Sequence, residues 1–133
     1  MTGADIVAAL LRADNAVLAV APLERIKLGR LPDGVTLTAM LVRRISSVDQ
    51  QPLRWSKGVR ITDRVSVTIR AASYRDQVAA IRLVRACCAG RTGDIGGGKA
   101  VSILTAGISP DVAGPADSFE QTCDFKVSFV EPA

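Results

Sequence analysis

Arg64-Val65-Ser66-Val67-Thr68-Ile69-Arg70-Ala71 alternates polar and apolar at every step. Val65, Val67, Ile69 and Ala71 take one side and Arg64, Ser66, Thr68 and Arg70 the other, a period of two that belongs to a half-buried antiparallel strand. Downstream, Ser73 followed three residues later by Asp76 is a helix-capping pattern. Val78, Ile81, Val84 and Cys88 then share one helical face, and Gly90 stands where the helix stops. Upstream, the β-branched and aliphatic run Thr36–Ser46 predicts another strand, with Leu41, Arg43 and Ile45 opposite Met40, Val42 and Arg44. The intervening Asp49–Lys57 is polar, contains Pro52 and the single Trp, and predicts an exposed excursion between the two strands.

The same periodicities extend to both ends. Thr2 with Asp5 forms a capping box, and Ile6, Val7, Leu10 and Leu11 make a helix face to about Ala13. Asp14 caps a further short turn through Val17 and Leu18, Pro22 ends it, and Leu28–Gly34 predicts extended chain and turn. Ala100–Ala106 predicts a third strand and Cys123–Val130 a fourth, in which Cys123, Phe125, Val127 and Phe129 alternate against Asp124, Lys126 and Ser128. Between them, Gly107–Gln121 holds Pro110, Gly114 and Pro115 and is long for a hairpin connection, the mark of a working loop. The expected fold is α+β: one domain over 1–133, a single four-stranded or slightly larger antiparallel sheet, and two main helices packed on one face, in the order α-β-β-α-β-β. The other face carries Arg64, Arg70, Asp124 and Lys126 among Ser and Thr, which suits water or a lubricated channel.

Composition narrows function by exclusion. At 133 residues the chain supports one core, and 48% hydrophobic with 23% charged residues is the balance of a globular protein. The absence of histidine removes Ser-His-Asp and Cys-His catalysis and histidine metal sites. Aromatics at 4% supply too few rings for a base-stacking platform. Three cysteines, two of them neighbours, make no disulfide framework and fit a reducing compartment. The first residues lack a basic leader and no apolar run reaches eighteen, so a soluble chain made in the cytoplasm, with no membrane partner, is expected. The net charge is +4 but uneven: residues 25–91 hold fourteen of the seventeen bases against four acids, while residues 92–133 hold two bases against six acids. Such a division allows a phosphate-facing surface, complementary surfaces between identical copies, or internal compensation.

Each local motif has a plain structural alternative. Gly93–Lys99 matches seven positions of a phosphate-binding loop, but Ala100 replaces the magnesium-binding hydroxyl, and the loop runs from helix to strand instead of strand to helix. A flexible β-turn is expected there. Cys87 and Cys88 lie at a helix carboxy-terminus, where nothing activates a thiolate, so they and Cys123 are assigned to packing. The acids are scattered singly, with no converging pair for general acid and base work. No catalytic residue, cofactor or metal is therefore expected. Trp55 beside Arg54, Lys57 and Arg60 is either a contact anchor or a ring folded back on the domain edge.

Ala4-Asp5-Ile6-Val7-Ala8-Ala9-Leu10-Leu11, Arg25-Ile26, Leu31-Pro32, the strand from Arg64 to Ala72, the helix Tyr74 to Gly90 and the closing Cys123-Asp124-Phe125-Lys126-Val127 come in an order that resembles the tail-completion, or tail-terminator, proteins of long-tailed phages and gene transfer agents. The resemblance spans nearly the whole chain. It implies a non-enzymatic virion subunit at the head-tail junction that closes a sixfold ring of identical copies on the finished tail tube, stops tube growth and offers the surface that joins the head. Its implied partners are itself, the tail tube protein, a head-closure or adaptor protein, and DNA passing through the lumen without being read. Arg64, Arg70 and Lys126 are the candidates for a lumen or DNA-facing lining. Arg54, Trp55, Lys57, Arg60, Asp111, Asp117 and Glu120 are the candidates for loops that join neighbours, basic to acidic. The rival expectation is a basic nucleic-acid-binding module whose Arg-bearing sheet face grips phosphate directly.

Overall fold

The alternation Arg64–Ala71 is the second half of a longer strand. In the computed structural model, which describes residues 2–32, 34–50 and 58–132, it runs from Gly58 to Ala71 and is the third of seven strands. The elements are helix α1 (Gly3–Ala13), short helix α2 (Asn15–Val20), β1 (Ile26–Leu28), β2 (Ala39–Gln50), β3 (Gly58–Ala71), α3 (Tyr74–Cys88), β4 (Thr92–Ile95), β5 (Gly98–Ile108), β6 (Val112–Ala113) and β7 (Phe119–Pro132). All strands join one sheet in the order β1-β2-β3-β7-β5-β4, with β6 on the end of β7. Strand β1 runs parallel to β2 and the other pairs are antiparallel, so the sheet is mixed, and it curls as a half-barrel.

The α+β class and the two main helices are as expected, while the four-stranded or slightly larger antiparallel sheet is corrected to seven strands among the described residues, one of them parallel to its neighbour. Three strands were missed because they are short: β1 has three residues, β4 four and β6 two, too few to display a period. Strand β2 runs from Ala39 to Gln50, so Asp49 belongs to a strand and not to the excursion expected there. Strand β7 starts at Phe119 and β5 ends at Ile108, which shortens the supposed loop Gly107–Gln121 at both ends. The rest of the excursion, with Arg54, Trp55 and Lys57, lies outside the described residues.

The helices cover one sheet face, as their apolar stripes require. Helix α1 buries Ala4, Ile6, Val7, Ala8 and Leu11, and α3 buries Ala80, Ile81, Val84, Cys87 and Cys88 against β3 and β7. The predicted α3 stripe is rotated slightly: Val78 is half-buried and the inner position is taken by Gln77. The inward residues Met40, Val42, Val65, Val67, Ile69, Cys123, Phe125, Val127 and Phe129 complete the core. Both expected N-caps form: Asp14 accepts from the N–H groups of Ala16 and Val17, and Ser73 from that of Asp76. The Thr2–Asp5 capping box is present on α1.

One inward position breaks the apolar pattern. Asp63 of β3 is fully buried, and its Oδ2 accepts the Gly3 N–H at 2.8 Å, placing a carboxylate at the first turn of α1. A Cβ at Gly3 would come within 2.8 Å of the Asp63 Cβ, so only glycine lets the helix end settle this close to the sheet. Phe125 is, with Phe129, one of the two largest side chains in the core and is fully buried. Phe125→Ala is expected to lower unfolding free energy by about 3–5 kcal/mol, read as a lower urea midpoint with an unchanged slope.

Candidate functional site

Since β3 and β7 alternate, every side chain that leaves the core on one face puts its neighbour on the other. The outward rows follow from the register: Ser46–Arg64–Lys126–Leu104, Arg43–Ser66–Asp124, and Arg70–Glu120 at one end. Among the described residues this outer face thus gathers Arg43, Arg60, Arg64, Arg70 and Lys126 against Asp124 and Glu120. Arg64, Arg70 and Lys126, the predicted lining, are brought to one face.

Two of those three cations are already engaged. Arg64 donates from Nε to Asp124 Oδ2 at 2.9 Å, a diagonal cross-strand pair, and from Nη2 to the Ala106 carbonyl at 3.0 Å. Arg70 donates from Nε to Glu120 Oε1 at 2.6 Å, directly across the ladder. Lys126 is exposed and has no ion pair among the described residues. The hydroxyl pairs Thr62–Ser128 and Thr68–Thr122, at 3.3 and 3.0 Å, fill the rows between. The face is thus a knit polar surface with a residual positive excess, and not a row of free guanidinium groups.

The predicted contact loops are corrected in two places. Arg60 is a β3 residue whose guanidinium lies on β5, donating to the Ala100 carbonyl at 3.0 Å and weakly to Ser102 Oγ at 3.5 Å. Glu120 is a β7 residue committed to Arg70. Asp111 and Asp117 do sit in the connection between β5 and β7, and they line a shallow cleft of about 410 Å³ with Tyr74, Val112, Ala113, Ser118 and Phe119.

That connection is held by a residue the sequence did not flag. Gln77 is fully buried, and its Nε2 donates to Asp111 Oδ1 at 2.8 Å and to Gln121 Oε1 at 2.9 Å. Gln121 in turn donates to the Ser109 carbonyl at 2.9 Å. The available signal was an amide on the inner face of an otherwise apolar helix stripe, where a polar group calls for hydrogen bonds: Nε2 makes two, while Oε1 has none among the described residues.

The glycine-rich run is the β4–β5 hairpin. Gly96 and Gly97 both take positive φ at its turn, the geometry of a two-residue hairpin, and a Cβ at Gly98 would meet Ile6 Cδ1 at 2.8 Å. Lys99 Nζ reaches Asp94 Oδ2 at 3.3 Å. The Ala100 N–H, then Lys99, hold the Asp94 carboxyl below its usual range. Glycine and lysine are therefore explained by the turn itself. Cys87, Cys88 and Cys123 are free and buried, and Cys87 Sγ donates to the Leu10 carbonyl at 3.4 Å. The hydrogen bond with Cys87, then burial, pushes the Cys88 thiol up, and burial pushes that of Cys123 from 9.0 to about 12. Among the described residues, no group of three or more His, Cys, Asp or Glu is placed to hold a metal ion, and no helix is long and apolar enough to cross a membrane.

No protein-family model and no curated protein matches the sequence. By structure the chain is similar to a chain of a particle described as "Virion of native gene transfer agent (GTA) particle", with a TM-score of 0.76 at 14% identity, over 96% of this chain and 94% of that one. At that identity the likeness is one of fold.

Two stability measurements probe the site. The Arg70–Glu120 side chains are 14% and 19% exposed, whereas Arg64 is 40% exposed. Arg70→Ala is expected to cost about 2 kcal/mol by leaving Glu120 partly buried and unpaired, and Arg64→Ala less than about 1 kcal/mol, both by urea unfolding. A thiol that stays protonated when folded but ionises when unfolded stabilises fully below pH 9 and loses its contribution as pH rises toward 12. Relative to Cys123→Ala, the parent chain should lose roughly 1.4 kcal/mol per pH unit in that window, measured at pH 8, 9.5 and 10.5.

Proposed function

We propose that the protein is a structural virion subunit of a phage-like particle or gene transfer agent, closing a sixfold ring on the end of the tail tube at the head-tail junction. In that place it stops tube growth and supplies the surface that meets a head-closure or adaptor protein. The observation that carries this reading is the end-to-end likeness of fold: 96% of this chain aligns with 94% of a chain from a gene transfer agent virion, so the shared architecture runs along nearly all of both chains and is not a common submotif. The order of sequence pieces that resembles tail-terminator proteins is independent support, because the two chains share only 14% identity.

The surface chemistry accords with a shape-based role. The sheet's outer face carries an excess of cations over carboxylates, and among the described residues it presents no helix and no ring of aromatics to enter a groove or stack bases. A lumen lined by such a face tolerates passing DNA without reading it, through phosphate charge alone. The rival nucleic-acid module needs guanidinium groups free for phosphate, and Arg64 and Arg70 are instead spent on Asp124 and Glu120. Free duplex DNA should accordingly bind weakly at physiological salt.

The test is removal of the protein from the producing cell and imaging of the particles. Tail tubes of uncontrolled length, unattached to filled heads, are the expected result. Tubes of normal length joined to heads would overturn the reading.

A further inference from the structure

The two ends of the sheet expose apolar side chains in opposite electrostatic settings. At one end β2 runs on beyond its pairing with β1, which stops at Val42, and Arg43–Gln50 are all exposed. This arm, paired only with β3, presents Ile45 and Val48, the latter 64% exposed; Arg43 shares the outer face with Val48, opposite Ser66 and Thr62, Arg44 lies on the other face opposite Val65, and Asp49 is the arm's single acid. At the other end, the cleft before β7 presents Val112, 55% exposed, with Tyr74 and Phe119, and its charged lining is Asp111 and Asp117 alone. Ser118 lines the same cleft, buried, and its hydroxyl has no hydrogen-bond partner among the described residues.

These surfaces cannot satisfy each other within one chain. Val48 pairs with Thr62 and Phe119 with Ala71, so the length of β3 from Thr62 to Ala71, roughly 30 Å at 3.3 Å per residue, separates them along one rigid ladder. Unlike patches at opposite ends of a subunit meet only between copies, head to tail, and such a contact repeats until a ring closes. We propose that the cleft receives the β2 arm of a second copy, Ile45 and Val48 packing on Val112 and Phe119 while Arg43, on the same face as Val48, meets Asp111 and Asp117. Every subunit then gives one arm and accepts one, with basic charge meeting acidic charge at each junction. This deepens the ring reading, on which it rests, by naming the surfaces that join its subunits.

Disulfide trapping tests the contact directly. Since Cys87, Cys88 and Cys123 are buried, mild oxidation of the folded full chain links only introduced thiols. The Val48→Cys, Val112→Cys double variant is expected to give a ladder of covalent multimers, and either single variant no more than a dimer. In sedimentation, Arg43→Glu and Asp117→Lys should each weaken self-association about tenfold, and the two combined in one chain should restore it. Discrete oligomers that persist in both charge variants, with no ladder from the double cysteine variant, overturn this contact and leave the ring reading standing. A chain that stays monomeric up to its solubility limit overturns the contact as well, and the imaging of particles lacking the protein then decides the ring reading on its own.

Discussion

Fourteen consecutive residue pairs between β3 and β7, from Gly58 opposite Pro132 to Ala71 opposite Phe119, hold this structure together. Everything else attaches to that ladder. Strand β2 adds to the free edge of β3 and β5 to the free edge of β7, and α1 and α3 rest on the face where Val65, Val67, Ile69, Phe125 and Val127 point. Because side chains alternate, the register that buries this apolar set also dictates the opposite face, where Arg70 meets Glu120 and Arg64 reaches Asp124. A one-residue slip would put guanidinium groups into the core and phenylalanine into water. The ion pairs are thus consequences of the core's register as much as contributors to it.

Sequence reading succeeded where a period was long enough to exceed noise and failed where the decisive partner lies far along the chain. The alternation at Arg64–Ala71 and at Cys123–Val130, and the capped stripe after Ser73, were sufficient for the central strands and α3. Asp63 hid the first half of β3, since an acid on the inward side looks like the end of a strand. Only the structure supplies its reason, the Gly3 N–H at the start of α1. Strand β1 hid for another cause: three residues cannot show alternation, and what fixes Ile26 is burial against α1 and the Arg12 guanidinium donating to its carbonyl at 2.9 Å. For the site, the residue types on the outer face were legible from alternation, but their engagement was not, because pairing Arg70 with Glu120 requires the register of strands fifty residues apart. Glu120 and Arg60 were taken for loop residues on composition alone.

The division of labour between the two sheet faces explains how a chain with no histidine and scattered acids can still be specific. One face is given to the core, with Asp63 its polar exception on β3, the other to polar rows with a positive excess, and the sheet's two ends expose apolar side chains. Gln77 belongs to this division: by holding Asp111 and Gln121 from the buried side of α3, it gives the β5–β7 connection a fixed shape without an apolar anchor of its own. Specificity built this way resides in the placement of ordinary side chains, and tolerates wide sequence change provided the ladder's register survives. That tolerance accords with a shared fold at 14% identity.

The central ladder joins the middle of the polypeptide to a strand made much later, and this orders events during synthesis. While the ribosome has yet to release β7, β3 has a partner only on its β2 side, half of the hydrophobic face lacks its phenylalanines, and neither α1 nor α3 has a finished surface to rest on. Nascent chains are consequently unable to present the β5–β7 cleft at all, since Phe119 and the ladder that positions it do not yet exist. A chain terminated before that strand therefore lacks the completed core and the cleft together.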